Sequence, residues 1–198
     1  ARLAAAEGEV GRARTELMSL AQAGHDGYAV QMSLAELTDP KKDPAALEAA
    51  LTRAHELDPT QSAPLSGLLS MAVEAGDKAE EARILERLVL LEAHDPTLYR
   101  RLLELLVEQK AYARAVQLGE AAIYADMEGA RTHAAYAEAL AAVGRVEDAS
   151  FEFQSAVLTP SRPEELAQAH LAFARFLSAR GQNEKAARER ERASALGS

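Results

Sequence analysis

The stretch VGRVEDA at residues 143–149 decides how this chain folds, because it separates two apolar runs with helical spacing. The runs are His133, Tyr136, Ala137 and Leu140 before it, and Ala149, Phe153 and Ala156 after it. Residues three and four positions apart lie on one side of an α-helix. Gly144 can end a helix in the left-handed conformation at little steric cost. The sequence therefore predicts a helix, a tight turn and a second helix.

The same unit recurs along the chain with a period close to 34 residues. Its turn-plus-alanine pattern occurs at 8–13, 110–115 and 181–186, with a looser copy at 76–82 and a proline-containing copy at 39–47. The equivalent residues are 13, 47, 82, 115, 149 and 186, so the steps are 34, 35, 33, 34 and 37. A single helix pair cannot bury both of its apolar faces, so we expect the copies to stack on one another.

This period and these positions resemble the tetratricopeptide repeat (TPR), whose pattern is W-x2-L-G-x2-Y, then A-x3-F, then P, repeated every 34 residues. The first-helix positions are matched by the His133 set and by Leu65, Leu68, Leu69 and Ala72; Tyr99, Leu102, Leu103 and Leu106; and His170, Phe173, Ala174 and Leu177. Ala149 and Phe153 match the second helix, and Pro160 lies close to the closing proline. The resemblance implies an all-α fold, a right-handed α-solenoid of antiparallel helix pairs.

We expect one TPR array over residues 1–198. It divides into a partial repeat at 1–25 and full repeats at 26–60, 61–94, 95–128, 129–160 and 161–198. Helices are predicted at 9–23, 28–38, 44–57, 62–75, 78–93, 96–109, 112–125, 130–143, 146–158, 163–180 and 183–196. The extra residues of the 37-residue step fall around 159–165, where a tolerated loop insertion and a partner contact are both consistent with the sequence.

Several helix starts carry capping signals. Asp43, Asp77 and Asp95 each precede a predicted helix and can accept hydrogen bonds from its free backbone N–H groups. Ser161 and Glu164 have the spacing of a capping box, in which serine is the N-cap.

Two features depart from the TPR pattern. Gly119 lies where a bulky second-helix residue is usual, and an interior glycine costs roughly 0.5–1 kcal/mol relative to alanine. We therefore expect the fourth repeat to be locally loose. Only seven residues precede Gly8, the predicted turn of the first repeat. We expect residues upstream of Ala1 to complete that repeat and, without them, a frayed N-terminal end or self-association through it.

Composition excludes several classes of function. The net charge of −9 and the pI of about 5.1 argue against nucleic acid or an anionic membrane as the main partner. No apolar run approaches the roughly 18 residues that would span a bilayer, so we expect no membrane insertion. The absence of cysteine excludes disulfides, a thiol nucleophile and thiolate metal sites.

No pattern of residues predicts catalysis. His133 and His170 occupy the first apolar position of their repeats, which favours a packing role over metal binding or catalysis. The motifs H-E-x-x-H and G-x-S-x-G and the phosphate-binding loop are all absent. We predict neither enzymatic activity nor a cofactor nor a metal.

In the TPR family, the first helices line a concave groove that binds a peptide or a helix of a partner. Carried over to this chain, that groove would contain Thr97, Arg100 and Glu104; Arg131, Ala134 and Glu138; and Gln168, Leu171 and Arg175. The preceding repeat would add Ala63, Ser66 and Ser70. Two interpretations of the arginines stay open. They can bind a ligand carboxylate in a bidentate manner, or Arg100 and Glu104 can form a surface pair four residues apart.

The partner-binding residues that we predict are Arg100, Glu104, Arg131, Glu138 and Arg175. The sequence thus indicates a non-catalytic scaffold that binds a peptide or helix of a partner protein. The alternative is a helical TPR arm of a larger, possibly enzymatic protein, which positions or oligomerises it.

Overall fold

The structure, a computed structural model, describes residues 2–197, and side chains from residue 8 onward. Within these residues all regular structure is helical. The helices are α1 (Arg2–Gln22), α2 (Tyr28–Glu36), α3 (Pro44–Leu57), α4 (Ala63–Ala75), α5 (Lys78–Leu91), α6 (Pro96–Glu108), α7 (Tyr112–Ala125), α8 (Ala130–Ala142), α9 (Val146–Leu158), α10 (Pro163–Ala179) and α11 (Asn183–Leu196). The predicted all-α fold is confirmed, and α2 to α11 end within two residues of the predicted bounds.

The predicted turn at Gly8 is wrong. Helix α1 continues through Gly8 and Gly11, and among the side chains of residues 8–197 none lies within 4 Å of where a Cβ would lie at either glycine. A glycine inside a helix costs only about 1 kcal/mol, which the surrounding helix-forming residues offset. The true turns differ, because Gly76, Gly144 and Gly181 have φ values of 68°, 85° and 72°. The apolar face predicted before residue 8 lies outside the described side chains.

The helices form two compact units, residues 1–92 (unit 1) and residues 93–198 (unit 2). In unit 1, α2 packs against α3, α3 against α4, and α4 against α5. In unit 2, α6 and α7, α8 and α9, and α10 and α11 form three pairs, and α8 also packs against α6 and α10. Each unit is thus a stack of helices joined by short turns. A single array over residues 1–198 stays a prediction.

The repeat register predicts that Leu68, Leu102, Tyr136 and Phe173 are buried at equivalent layers, and the core of unit 2 confirms this for the last three. Leu102 is 1% exposed, and Tyr136 and Phe173 are also buried. The ring of Phe153 lies 5.5 Å from that of Phe173 and 5.0 Å from that of Phe176, centroid to centroid. These rings occupy the space between α9 and α10, so aromatic packing links two consecutive repeats.

Leu68 in unit 1 is only partly buried, so its predicted place in the layer is wrong. It packs against a small cluster of Ala35, Ala50 and Leu51. Two of these three side chains are single methyl groups, which cannot enclose a leucine.

Gly119 is buried against the ring of Tyr136, which corrects the expected looseness of the fourth repeat. A methyl group at Gly119 would lie 2.0 Å from Cε2 of Tyr136. The tyrosine of α8 therefore fills the space that a bulky side chain on α7 would otherwise occupy. The glycine is required by packing at this position.

The aspartate caps are confirmed. Asp43 accepts a hydrogen bond from the backbone N–H of Ala46, Asp77 from those of Ala79 and Glu80, and Asp95 from that of Thr97. The capping box at Ser161 is wrong, because the N-cap of α10 is Arg162, which makes no side-chain capping bond. Pro163 begins the helix, so Ser161 lies one residue too early.

Candidate partner-binding cleft

Four of the five predicted partner-binding residues lie together on α6, α8 and α10, the first helices of the three pairs of unit 2. Glu104 on α6, Arg131 and Glu138 on α8, and Arg175 on α10 line one open cleft of about 310 Å³. Its lining also includes Ala134, Ala135, Gln168, Ala169 and Ala172. Four alanines on α8 and α10 lie between the charged side chains. The cleft therefore offers a ligand both charged groups and small apolar ones.

Glu104 and Arg131 form a bidentate ion pair between α6 and α8. Nε of Arg131 donates to Oε1 of Glu104 and Nη2 donates to Oε2, and each donor–acceptor distance is 2.8 Å. The Glu104 side chain is 17% exposed and that of Arg131 is 39% exposed. Burial raises the pKa of the Glu104 carboxyl, and the charge and hydrogen bonds of Arg131 oppose that rise. The pair is therefore partly desolvated and held in one orientation.

The same arrangement recurs one repeat later. Nη2 of Arg175 on α10 donates to Oε1 of Glu138 on α8 at a distance of 2.8 Å. This pair is more open, with Arg175 69% and Glu138 36% exposed. A glutamate on one first helix thus meets an arginine on the next first helix in two consecutive steps. The spacing alone did not reveal this, because the partners lie 27 and 37 residues apart.

Arg100, the fifth predicted residue, points elsewhere. Its Nη1 lies 3.5 Å from Oδ2 of Asp126, while the carboxylate of Glu104 is bound by Arg131. Of the two interpretations that the sequence leaves open, the surface pair of Arg100 with Glu104 is wrong, because each residue has a longer-range partner instead. Arg100 and Arg131 both line a second open pocket of about 480 Å³, beside the N-termini of α8 and α10.

Asp126 is a residue that the sequence did not single out. It lies in the turn before α8, where it accepts a hydrogen bond from the hydroxyl of Thr132 and faces Arg100. It also lies over Gly129, where a methyl group would be 2.1 Å from Oδ2. A loop carboxylate gives no periodic signal. The one local signal is Gly129, whose missing side chain leaves room for the Asp126 carboxylate.

His133 and His170 are buried, which confirms their predicted packing role, but each also has a carboxylate partner. Nδ1 of His133 lies 2.6 Å from Oε2 of Glu152, and Nδ1 of His170 lies 2.6 Å from Oε2 of Glu189. Nε2 of His133 lies 3.1 Å from the carbonyl oxygen of Met127. Both nitrogens of His133 therefore face acceptors, which the imidazolium form alone can satisfy.

The pKa of His133 follows from this geometry. Burial by itself lowers the pKa, but the hydrogen bonds to Glu152 and Met127, with the charges of Glu152 and Asp126, outweigh it. The pKa of His133 consequently lies above its ordinary value.

No protein-family profile and no curated protein matches the sequence. Solved structures do match. MamA (41-end) from Desulfovibrio magneticus RS-1 is 17% identical with a TM-score of 0.66, over 86% of this chain and 94% of that chain. BtubC (BKLC) from P. vanneervenii is 21% identical with a TM-score of 0.61, over 99% of this chain and 91% of that chain.

YrrB, described as a TPR protein with an unusual peptide-binding site, is 16% identical with a TM-score of 0.68, and 91% of each chain is covered. Within residues 2–197, none of the helices combines the length and apolar character needed to cross a bilayer. At these identities the similarity concerns the fold, and it agrees with the repeat period and the helix pairs described above. The chain has the fold of tetratricopeptide-repeat proteins.

Proposed function

We propose that the chain is a non-catalytic interaction scaffold, and that the cleft of α6, α8 and α10 binds a peptide or helix of a partner protein. The observation that carries this proposal is the pair of interhelical ion pairs, Glu104 with Arg131 and Glu138 with Arg175, at the surface of one open cleft. The peptide-binding site of YrrB, which has the same fold, is consistent with it.

The two pairs have different tasks in this proposal. Arg131 is held by two hydrogen bonds to a partly buried carboxylate, so it serves as a fixed positive edge of the cleft. Arg175 is the most exposed of the four, and within residues 8–197 its hydrogen bond to Glu138 leaves further N–H donors for a ligand carboxylate or carbonyl. Because Glu138 already orients Arg175, part of the entropy cost of ordering that side chain is paid before the ligand arrives.

A charge swap tests the cleft without breaking its internal pairs. We would exchange the partners in both pairs, as Glu104→Arg with Arg131→Glu and Glu138→Arg with Arg175→Glu. The net charge and the possibility of each ion pair are preserved, whereas reversal of the arginines alone would leave Glu104 beside another carboxylate. The matched control exchanges Arg145 and Asp148, an exposed pair at the start of α9 that does not line the cleft.

The swapped, control and parent chains would be used for affinity capture from cell extract, and a retained protein would then be purified and titrated. We expect parent and control to bind alike, and the swapped chain to lose at least about tenfold in affinity with unchanged circular dichroism. Equal affinity in a folded swapped chain would show that the partner binds elsewhere. If the parent retains no partner, the chain is better explained as the helical arm of a larger protein.

A further inference from the structure

Unit 1 has a cleft whose chemistry differs from that of the unit 2 cleft. It lies between α2, α3 and α4, has a volume of about 290 Å³, and is largely apolar. Its apolar lining consists of Met32, Ala35, Pro40, Leu47, Leu51, Ala63 and Met71. Met32, Leu47 and Met71 are only partly buried, so their side chains can still be covered.

Small residues on α4 keep this cleft open. Ala63, Gly67 and Ser70 line it, and none of them reaches across towards α2. At Gly67 the helices approach so closely that a methyl group would lie 2.8 Å from Cδ1 of Leu51. The two methionines have flexible, polarisable side chains, which adapt to apolar ligands of different shape.

The charged residues of this cleft are both acidic. Glu36 and Glu74 lie at its rim and are exposed, and within residues 8–197 neither has an ion-pair partner. This contrasts with the cleft of unit 2, where Glu104 and Glu138 are matched by arginines. The rest of unit 1 adds to the negative potential. Residues 1–92 carry 16 acidic and 9 basic side chains, against 15 and 13 in residues 93–198.

We propose that the cleft of α2, α3 and α4 docks a basic amphipathic segment of a protein partner. Apolar side chains of that segment enter between Met32 and Met71, while its lysines or arginines face Glu36 and Glu74. A second copy of this chain is a poorer occupant, because each copy has a net charge of −9. Ala63 and Ser70 of this cleft are also residues that the TPR resemblance assigns to the partner groove, so the inference rests on the proposed scaffold function. It uses none of the residues of the unit 2 cleft.

The test uses three fluorescent synthetic helices, each about 15 residues long. The first has a leucine and methionine face and lysines elsewhere. The second keeps the apolar face and replaces lysine with glutamate, and the third keeps the lysines and replaces the apolar face with serine. Fluorescence anisotropy would measure their binding to the full chain, to Glu36→Lys/Glu74→Lys and to the matched control Glu16→Lys/Glu48→Lys. The control reverses two exposed acids of unit 1 that do not line the cleft.

We expect the full chain to prefer the basic amphipathic helix, and Glu36→Lys/Glu74→Lys to weaken that binding at least about tenfold and to prefer the acidic helix. The control should change binding about twofold or less. Ser70→Trp, which fills the cleft from an exposed position, should also weaken binding. The charge swap in unit 2 should leave binding unchanged, so failure of the proposed function and failure of this inference are distinguishable.

Four outcomes would overturn the inference. The first is no measurable binding of the basic amphipathic helix. The second is that the serine-faced helix binds as tightly as the basic amphipathic helix. The third is that the Glu16→Lys/Glu48→Lys control loses as much affinity as Glu36→Lys/Glu74→Lys. The fourth is a dimer, seen by sedimentation, that dissociates in Glu36→Lys/Glu74→Lys, since it would identify a second copy as the occupant.

Discussion

At the scale of the residue, Gly119 and His133 have roles that their chemical type alone would not indicate. Glycine is a poor helix former, yet Gly119 is buried beneath the ring of Tyr136. Burial favours the neutral form of a histidine, yet His133 faces a carboxylate and a carbonyl oxygen. In both cases a neighbour from another element determines what the residue does.

Replacing Gly119 with alanine should destabilise the protein. Helix propensity alone would give a gain of roughly 0.5–1 kcal/mol, but the new methyl group would overlap Tyr136, and such overpacking typically costs about 1–3 kcal/mol. Chemical denaturation would measure the free energy of unfolding. Gly11→Ala in α1, where nothing lies within 4 Å, is the control and should stabilise slightly. A stabilised Gly119→Ala would mean that the ring does not lie there.

His133 should make stability depend on pH. Because its folded pKa is raised above the unfolded value of about 6.5, its contribution is complete below that pH and is lost as the pH rises through the folded pKa. The difference in free energy of unfolding between the parent and His133→Gln should therefore shrink as the pH rises above about 6.5. His25→Gln, an exposed change, serves as the control. A difference that is constant with pH would contradict the imidazolium assignment.

At the scale of the element, local patterns in the sequence predict the bounds of ten of the eleven helices found in residues 2–197, because each has both an apolar period and a boundary signal. Helix α1 was predicted to start at residue 9 because Gly8 resembles a turn glycine, although only Gly24 and the later glycines of true turns adopt positive φ. The clustering of Glu104, Arg131, Glu138 and Arg175 also followed from the repeat register. Their actual partners did not, because ion pairs between helices depend on side-chain positions that a one-dimensional period does not specify.

The two leucines at equivalent positions of α4 and α6 should respond differently to truncation. Leu102 is enclosed by its neighbours, so Leu102→Ala should cost about 2–5 kcal/mol. Leu68 is partly exposed, so Leu68→Ala should cost distinctly less, since less apolar surface is lost from the core. Urea unfolding of the parent and both variants would measure the two losses in free energy of unfolding. Equal costs would place Leu68 in the core as the sequence predicted.

At the scale of the whole molecule, negative charge is concentrated in residues 1–92, while residues 93–198 are nearly balanced. The two clefts follow the same division, since that of unit 1 has an acidic rim and that of unit 2 has paired charges. Salt should therefore weaken any partner contact of unit 1 more than one of unit 2.

Residues 93–198 should fold without the rest of the chain. They contain three helix pairs with their own core of leucines and aromatic rings. Circular dichroism of this fragment should show high helix content and cooperative thermal unfolding, and hydrogen exchange should show protected amides in α8. A fragment with the spectrum of an unfolded chain would show that its core is insufficient.

The contact of Gly119 with Tyr136 also limits how far the repeats are interchangeable modules. The fourth repeat supplies the glycine and the fifth supplies the ring, so each is shaped for the other. A consensus repeat with a bulky residue at position 119 would collide with the native tyrosine, and a fifth repeat transplanted next to a standard neighbour would meet the same obstacle. Recombination or engineering of this chain must therefore move these two repeats as one block.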